Sequence, residues 1–257
     1  MSYLEKDKSK YKVSRSKLKI VNVILRGDGY IDNVTLSSSE HISQFYDAAE
    51  WFVKNQNRSS GGWPIPVKRR VAAGFQDLTP IWYSAMSQGH AISVLARAYH
   101  HSGHEPKYLN AALAGLKLFH VASSKGGILA TFYDKYFWYE EYPTQPSSFV
   151  LNGFIYSLLG LYDLATIAPF AEEAEQLFRN GIESLKNMLP LFDMGSVTCY
   201  DLRHITIGIA PNLARWDYHA THVNQLLLLN TICDEPIFAQ TAERWIGYMS
   251  GKRAAHN

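Results

Sequence analysis

From about Ser39 to the C-terminus, apolar residues recur at spacings of three and four, the period of helices that bury one face. A helix capped by Ser38 or Ser39 is predicted to carry Ile42, Phe45, Ala49, Phe52 and Val53 into a core. Further helices are predicted over residues 84–101, 107–121, 147–167, 171–190, 221–233 and 236–250, with an aromatic hairpin over 128–142. Two kinds alternate. Segments 84–101, 147–167 and 221–233 belong inside a layer, whereas 107–121, 171–190 and 236–250 are amphipathic and belong outside it. Three successive in–out hairpins predict a mostly α fold, an α/α toroid or partial α/α barrel. Before residue 37 the pattern changes. Residues 1–17 read as a basic arm, and KIVNVILRGDGYIDNVTL (19–36) reads as two short strands broken at Gly-Asp-Gly. Two strands do not make a stable sheet alone. Residues 1–36 are therefore expected to be the remnant of a preceding β domain, and 37–257 the helical domain. The chain is read as truncated at its N-terminus.

Composition narrows the function more than the fold. A hydrophobic share of 47% over 257 residues is enough for one large core. A formal charge of +2 gives no field that would single out nucleic acid as a partner. Aromatic residues, 16 Tyr and 6 Trp among them, suit sugar rings, although most aromatics in any fold are packed inside. Cys199 and Cys233 do not make a disulfide framework. The sequons at Asn33 and Asn57 matter only in a secreted chain. No apolar run reaches the roughly 18 residues of a membrane span, and the polar start carries no signal peptide.

Three stretches concentrate polar and aromatic residues: 81–89 (IWYSAMSQG), 138–143 (WYEEYP) and 215–219 (RWDYH). Each precedes or opens one of the inner helices. In an in–out array the inner helices run the same way, so these stretches should meet on one rim. Helix N-termini there favour a bound carboxylate. A fourth stretch, YDLRH (200–204), can fold onto the same rim. The pooled candidates are Glu141, Tyr142, Tyr200, Tyr218, Arg203, Arg215, Asn152 and Asn212. The set has no zinc spacing, phosphate loop or nucleophile signature. Each member also has an ordinary reading. Tyrosines at helix starts pack with a satisfied hydroxyl, Glu140 and Glu141 form a solvated pair, and Arg203 bridges Asp201.

At these same motifs the chain resembles the D-glucuronyl C5-epimerase family. The strings that carry the resemblance are YEEYPTQPSSFVLNGF (139–154), YSLLGLYDL (156–164), YDLRH (200–204) and GIAPNLARWDYHATHVNQL (208–226), with IDNVT (31–35) and GGWP (61–64) before them. The resemblance implies the C-terminal catalytic domain of an enzyme that converts D-glucuronate to L-iduronate within N-sulfated heparosan, during heparan sulfate and heparin biosynthesis. It implies a Golgi-lumen homodimer acting on a heparan sulfate precursor, with a membrane anchor and β domains ahead of the helical part. It places Glu141, Tyr142, Tyr200 and Tyr218 in catalysis. Asn152, Arg203, Asn212, Arg215, Trp216 and His219 would line the substrate cleft, with Arg69 and Arg70 near the sugar chain. Asp32 falls in a segment that helps to bind a structural calcium, and the chemistry itself would need no cofactor.

Epimerisation removes a proton beside a carboxylate and returns one to the opposite face. Arg203 and Arg215 suit the resulting charge, since a guanidinium grips a carboxylate with two hydrogen bonds. Tyr218 and Glu141 are assigned to opposite faces, with Tyr142 and Tyr200 tuning or relaying protons. Nearby arginines are expected to lower the phenol pKa values. Two other readings use the same residues: a lyase eliminating at C4 on a similar α/α fold, and a non-catalytic sugar-binding fragment or pseudo-enzyme.

Overall fold

The computed structural model describes residues 39–255 apart from residue 169. The expected arm and strand pair over 1–36, Asp32 and the Asn33 sequon all lie outside the described residues. Helix α1 spans Ser39–Asn55. Helices α2 (Ala85–His101) and α3 (Pro106–Gly115) form the first hairpin, followed by a 3-10 turn over Leu116–His120. Strands β1 (Leu129–Phe132) and β2 (Tyr136–Tyr139) pair antiparallel in register Leu129–Tyr139. Then come α4 (Leu151–Ile167), α5 (Glu172–Met188), the short α6 (Arg203–Thr206), α7 (Trp216–Ile232) and α8 (Pro236–Met249). The mostly helical expectation holds. Among the described residues, no helix is long and apolar enough to cross a membrane.

Local chemistry explains where helices begin. Ser84 caps α2 by accepting from the Ser87 amide, and α3 and α8 start on Pro106 and Pro236, whose missing amides are not needed in a first turn. Glu172, Glu173 and Glu175 place negative charge on the first turn of α5. Two predicted starts were wrong. Helix α4 opens at Leu151, not at residue 147, because Phe149 holds a left-handed φ of 54° and its amide is tied to the Glu140 carboxylate. Helix α7 opens at Trp216, five residues early, through a polar run whose buried positions are His219 and His222.

Packing joins α2 to both α3 and α4, α4 to α5 and α7, and α7 to α8, so the hairpins follow one another as predicted. The α2–α4 contact is the most extensive. A methyl on Gly160 would sit 2.1 Å from the Gly89 carbonyl oxygen, so the two backbones touch there. At the far end, Arg97 and Ser93 close on Asp163, with Arg97 Nη2 at 2.8 Å. Trp138 stacks on Phe154 with ring centroids 3.7 Å apart and lies fully buried beside Phe192. Two inward assignments fail: Ile42 is exposed on α1, and Leu227 on α7, so α7 is apolar on one side only.

Candidate active site

The site starts where β2 ends. The Glu140 amide donates to Ile128, and its carbonyl accepts from the Ala85 amide, the first residue of α2. Its side chain accepts from the Phe149 amide at 3.1 Å and from the Ser148 hydroxyl at 3.0 Å, just before α4. One residue thus holds the N-terminal ends of two inner helices together. Ser148 then accepts from the Leu202 amide, Leu151 donates to Tyr200, and Tyr200 donates to Asn212. The 200–202 segment is therefore threaded between the start of α4 and the segment leading into α7. Four stretches far apart in sequence meet here, as the topology argument required.

Glu140 and Glu141 are not a solvated pair, because both are buried. Burial pushes the Glu140 carboxyl up to about 8, against the hydrogen bonds from Phe149 and Ser148. Burial also raises Glu141, while hydrogen bonds from Tyr142 and Tyr200 and the charge of Arg69 pull it back. Tyr200 lies between the other candidates. Its hydroxyl faces Glu141 Oε1 at 3.4 Å, and its ring meets Tyr218 edge-on with centroids 4.8 Å apart. Tyr142 packs against Trp82, and the Arg69 guanidinium lies over its ring at 5.4 Å. Arg215 lies over Tyr218 at the same distance, 5.4 Å, and is largely exposed with Asp217.

The phenols behave opposite to expectation. Burial and the neighbouring Glu141 push Tyr142 up to about 12, and Arg69 pulls it down by less. Tyr200 is raised further, by burial first and then by Glu141 and the other tyrosines. These two phenols rest as neutral acids, able to donate to a developing negative charge. The buried carboxyl of Glu141, brought closer to neutrality, is the better proton acceptor of the group.

The other predicted residues are dispersed. Arg203 grips the fully buried Asp201, with Nε to Oδ1 at 2.8 Å and Nη2 to Oδ2 at 2.6 Å, and the Arg203 amide and Asn212 Nδ2 also donate to it, at 3.1 and 3.0 Å. The ordinary reading of Arg203 is the one the structure displays. Its Nε–Nη2 edge is occupied. His219 does not line a cleft: its Nε2 donates to the Trp245 carbonyl and its Nδ1 accepts from the Thr198 amide, at 2% exposure. Thr198 also meets His222, which burial pushes down to about 3 and so keeps neutral. Asn152 is buried, its carbonyl accepting from Gln225 and its Oδ1 without a partner. Trp216 is exposed. Arg69 pairs with Leu78 in an isolated antiparallel bridge, and the charge of Arg70 is felt at Asp77, not at the phenols.

Sequence reasoning left Trp82 out of the candidate set, although its stretch is singled out, and it read Glu140 as solvated when that carboxylate is a buried part of the scaffold. Two surface hollows, of about 220 and 390 Å³, lie elsewhere, around the exposed His120–Glu173 pair. None of the candidate site residues lines them. Among the described residues, no group of three or more His, Cys, Asp or Glu side chains is placed to hold a metal ion.

Residues 56–247 match the family described as D-glucuronyl C5-epimerase C-terminus. A protein of Caenorhabditis elegans named D-glucuronyl C5-epimerase is 50% identical over 252 residues, which cover 93% of this chain and 40% of that protein. An uncharacterized protein of Methanocaldococcus jannaschii is 32% identical over 172 residues, 66% of this chain and 53% of its own length. The chain thus spans about half the length, or less, of these curated relatives.

Proposed function

The chain belongs to the D-glucuronyl C5-epimerase family, matched over its C-terminal part, and from that premise we propose that it inverts C5 of D-glucuronate within N-sulfated heparosan. The observation that carries this reading is the meeting of Glu141, Tyr142, Tyr200 and Tyr218 beneath two arginines that lie on the outer phenol rings. A proton leaves C5 for a base, its electron pair spreads into the adjacent carboxylate, and a second proton arrives from the opposite face. Glu141 and Tyr218 take the two faces, on either side of Tyr200, with Tyr142 and Tyr200 supplying neutral donors to the enolate-like state. Arg69 and Arg215 replace Arg203 as the groups that offset the substrate carboxylate, since Arg203 is engaged by Asp201. Trp216 offers an exposed ring face to a sugar.

The same resemblance supports a heparan sulfate precursor as partner, a homodimer, a Golgi-lumen location, and an α/α toroid or partial α/α barrel following a separate N-terminal part. Incubation with N-sulfated heparosan in deuterated water tests the reaction. Deuterium is expected at C5 of both uronate epimers, and Tyr218→Phe is expected to lower its rate roughly 100-fold or more. Binding without exchange overturns the epimerase reading in favour of a sugar-binding protein. An unsaturated product absorbing in the near ultraviolet overturns it in favour of a lyase.

A further inference from the structure

Helix α4 carries a glycine, Gly153, in its first turn. Its backbone is ordinary right-handed helix, so glycine is not required there for conformation. Space is the reason. A methyl on Gly153 would lie 2.2 Å from Glu141 Oε2, 2.6 Å from Glu141 Cβ and 2.7 Å from Glu141 Cδ, and those are the three nearest atoms. Glycines elsewhere in this core face a backbone or an uncharged side chain, such as Gly160 against Gly89 and Gly181 against Leu158. Among the described glycines, Gly153 alone faces a carboxylate. The contact with Cβ matters, because a carboxylate tip can swing aside whereas a Cβ is fixed by its own backbone.

Hydrogen bonding does not fix that side of Glu141. Its Oε1 faces the Tyr200 hydroxyl, but its buried Oε2 has no partner. We propose that Gly153 is a positioning residue, whose bare backbone forms the seat that holds the Glu141 carboxyl against the first turn of α4 with one oxygen left free for proton exchange. The inference rests on the epimerase reading for its catalytic consequence, though not for the seat itself. The titratable and charged groups facing Glu141 are Tyr142 and Tyr200, the Arg69 guanidinium, and Glu140 on the other side.

Gly153→Ala tests the seat. The methyl meets Glu141 Cβ, so some loss of Tm is expected, and exchange is compared at a temperature where both proteins are fully folded. C5 exchange is expected to fall about 100-fold in kcat with little change in KM, the scale for losing a positioned acid or base. In a Glu141→Gln background the same change should cost nothing further, because its target is already gone. Equal losses in both backgrounds overturn the proposal. A second readout needs no activity: the Glu141 carboxyl, labelled with ¹³C and assigned by its absence in Glu141→Gln, should titrate at lower pH in Gly153→Ala as burial is relieved. An unchanged titration also overturns it. A wild-type protein that shows no exchange would sink the epimerase reading, and the titration would then decide the seat alone.

Discussion

The seam between α2 and α4 and the rim where these helices begin both depend on glycine, to different ends. At the seam, Gly89 and Gly160 let two backbones touch, and the polar groups beyond them are matched: Arg97 and Ser93 close on Asp163. At the rim, Gly153 lets a carboxyl approach a helix, and buried atoms are left over, Glu141 Oε2 and Asn152 Oδ1 among them. A buried polar atom without a partner costs about 1–3 kcal/mol, so a fold selected for stability alone would not keep several together. The seam is finished within the chain. The rim leaves buried polar atoms unpaired within the chain, and that difference separates the two regions more sharply than exposure does.

The largest effect expected from this contrast lies at the seam. Gly160→Ala forces a methyl against the backbone of α2, where no side chain can swing aside. Overpacking of this kind costs ~1–3 kcal/mol, and a rigid backbone contact belongs at the upper end. In a domain of this size, ~3 kcal/mol lowers Tm by roughly 6–12 °C. Thermal unfolding followed by circular dichroism measures it. A Gly160→Ala protein with wild-type Tm would mean that the seam is looser than its backbone distances state.

An intermediate effect separates the two adjacent glutamates, one locked and one free. Glu140 has a folded value of about 8 against an ordinary 4.5, so the folded state holds its proton more tightly than the unfolded chain. Its stabilising contribution is fully present below about 4.5 and is lost as pH rises to about 8. Wild-type Tm should therefore fall across that window. Glu140→Gln keeps an oxygen for the Phe149 amide and an amide for Ser148, and it cannot ionise. Its Tm should fall visibly less between pH 5 and 8, with a residual slope from Glu141, whose value is also raised. Equal slopes in the two proteins would show that Glu140 does not change its charge on unfolding in that window.

Sequence alone carried the seam better than the rim. Apolar spacing located α2, α5 and α8 closely, and α3 and α4 with one end wrong, because their buried faces are built largely from Leu, Ile, Phe and Ala. Spacing failed where polar residues do structural work. Helix α7 starts within a polar run because His219 and His222 bury themselves by bonding to Thr198, and no apolar pattern reports that. The start of α4 was missed because a side chain nine residues earlier holds Phe149 out of the helix. Convergence of the motif stretches was legible, since parallel inner helices share a rim. Their division of labour was not. Arg203, Asp201 and Asn212 all look like binding residues in a motif, and only the Asp201 oxygens show that the trio satisfies itself. The raised phenols were misjudged because a sequence shows arginines nearby but not the burial that outweighs them.

The smallest stability change is expected at Arg215, which sharpens the distinction between the two arginines of the rim. Its ion pair with Asp217 is exposed on both sides, so it contributes no more than about 1 kcal/mol. Arg203 instead neutralises a fully buried carboxylate, and removing it would strand that charge. Arg215→Ala should accordingly leave Tm within roughly 2–4 °C of wild type. Its guanidinium lies over Tyr218 while remaining open to solvent, where it can meet a substrate carboxylate without first breaking a buried pair. C5 exchange should therefore fall although the fold does not. Tm and deuterium incorporation, measured on the same preparation, check both halves. If exchange survives intact, Arg215 is only a lid on the Tyr218 ring, and Arg69 is left to meet the substrate's charge.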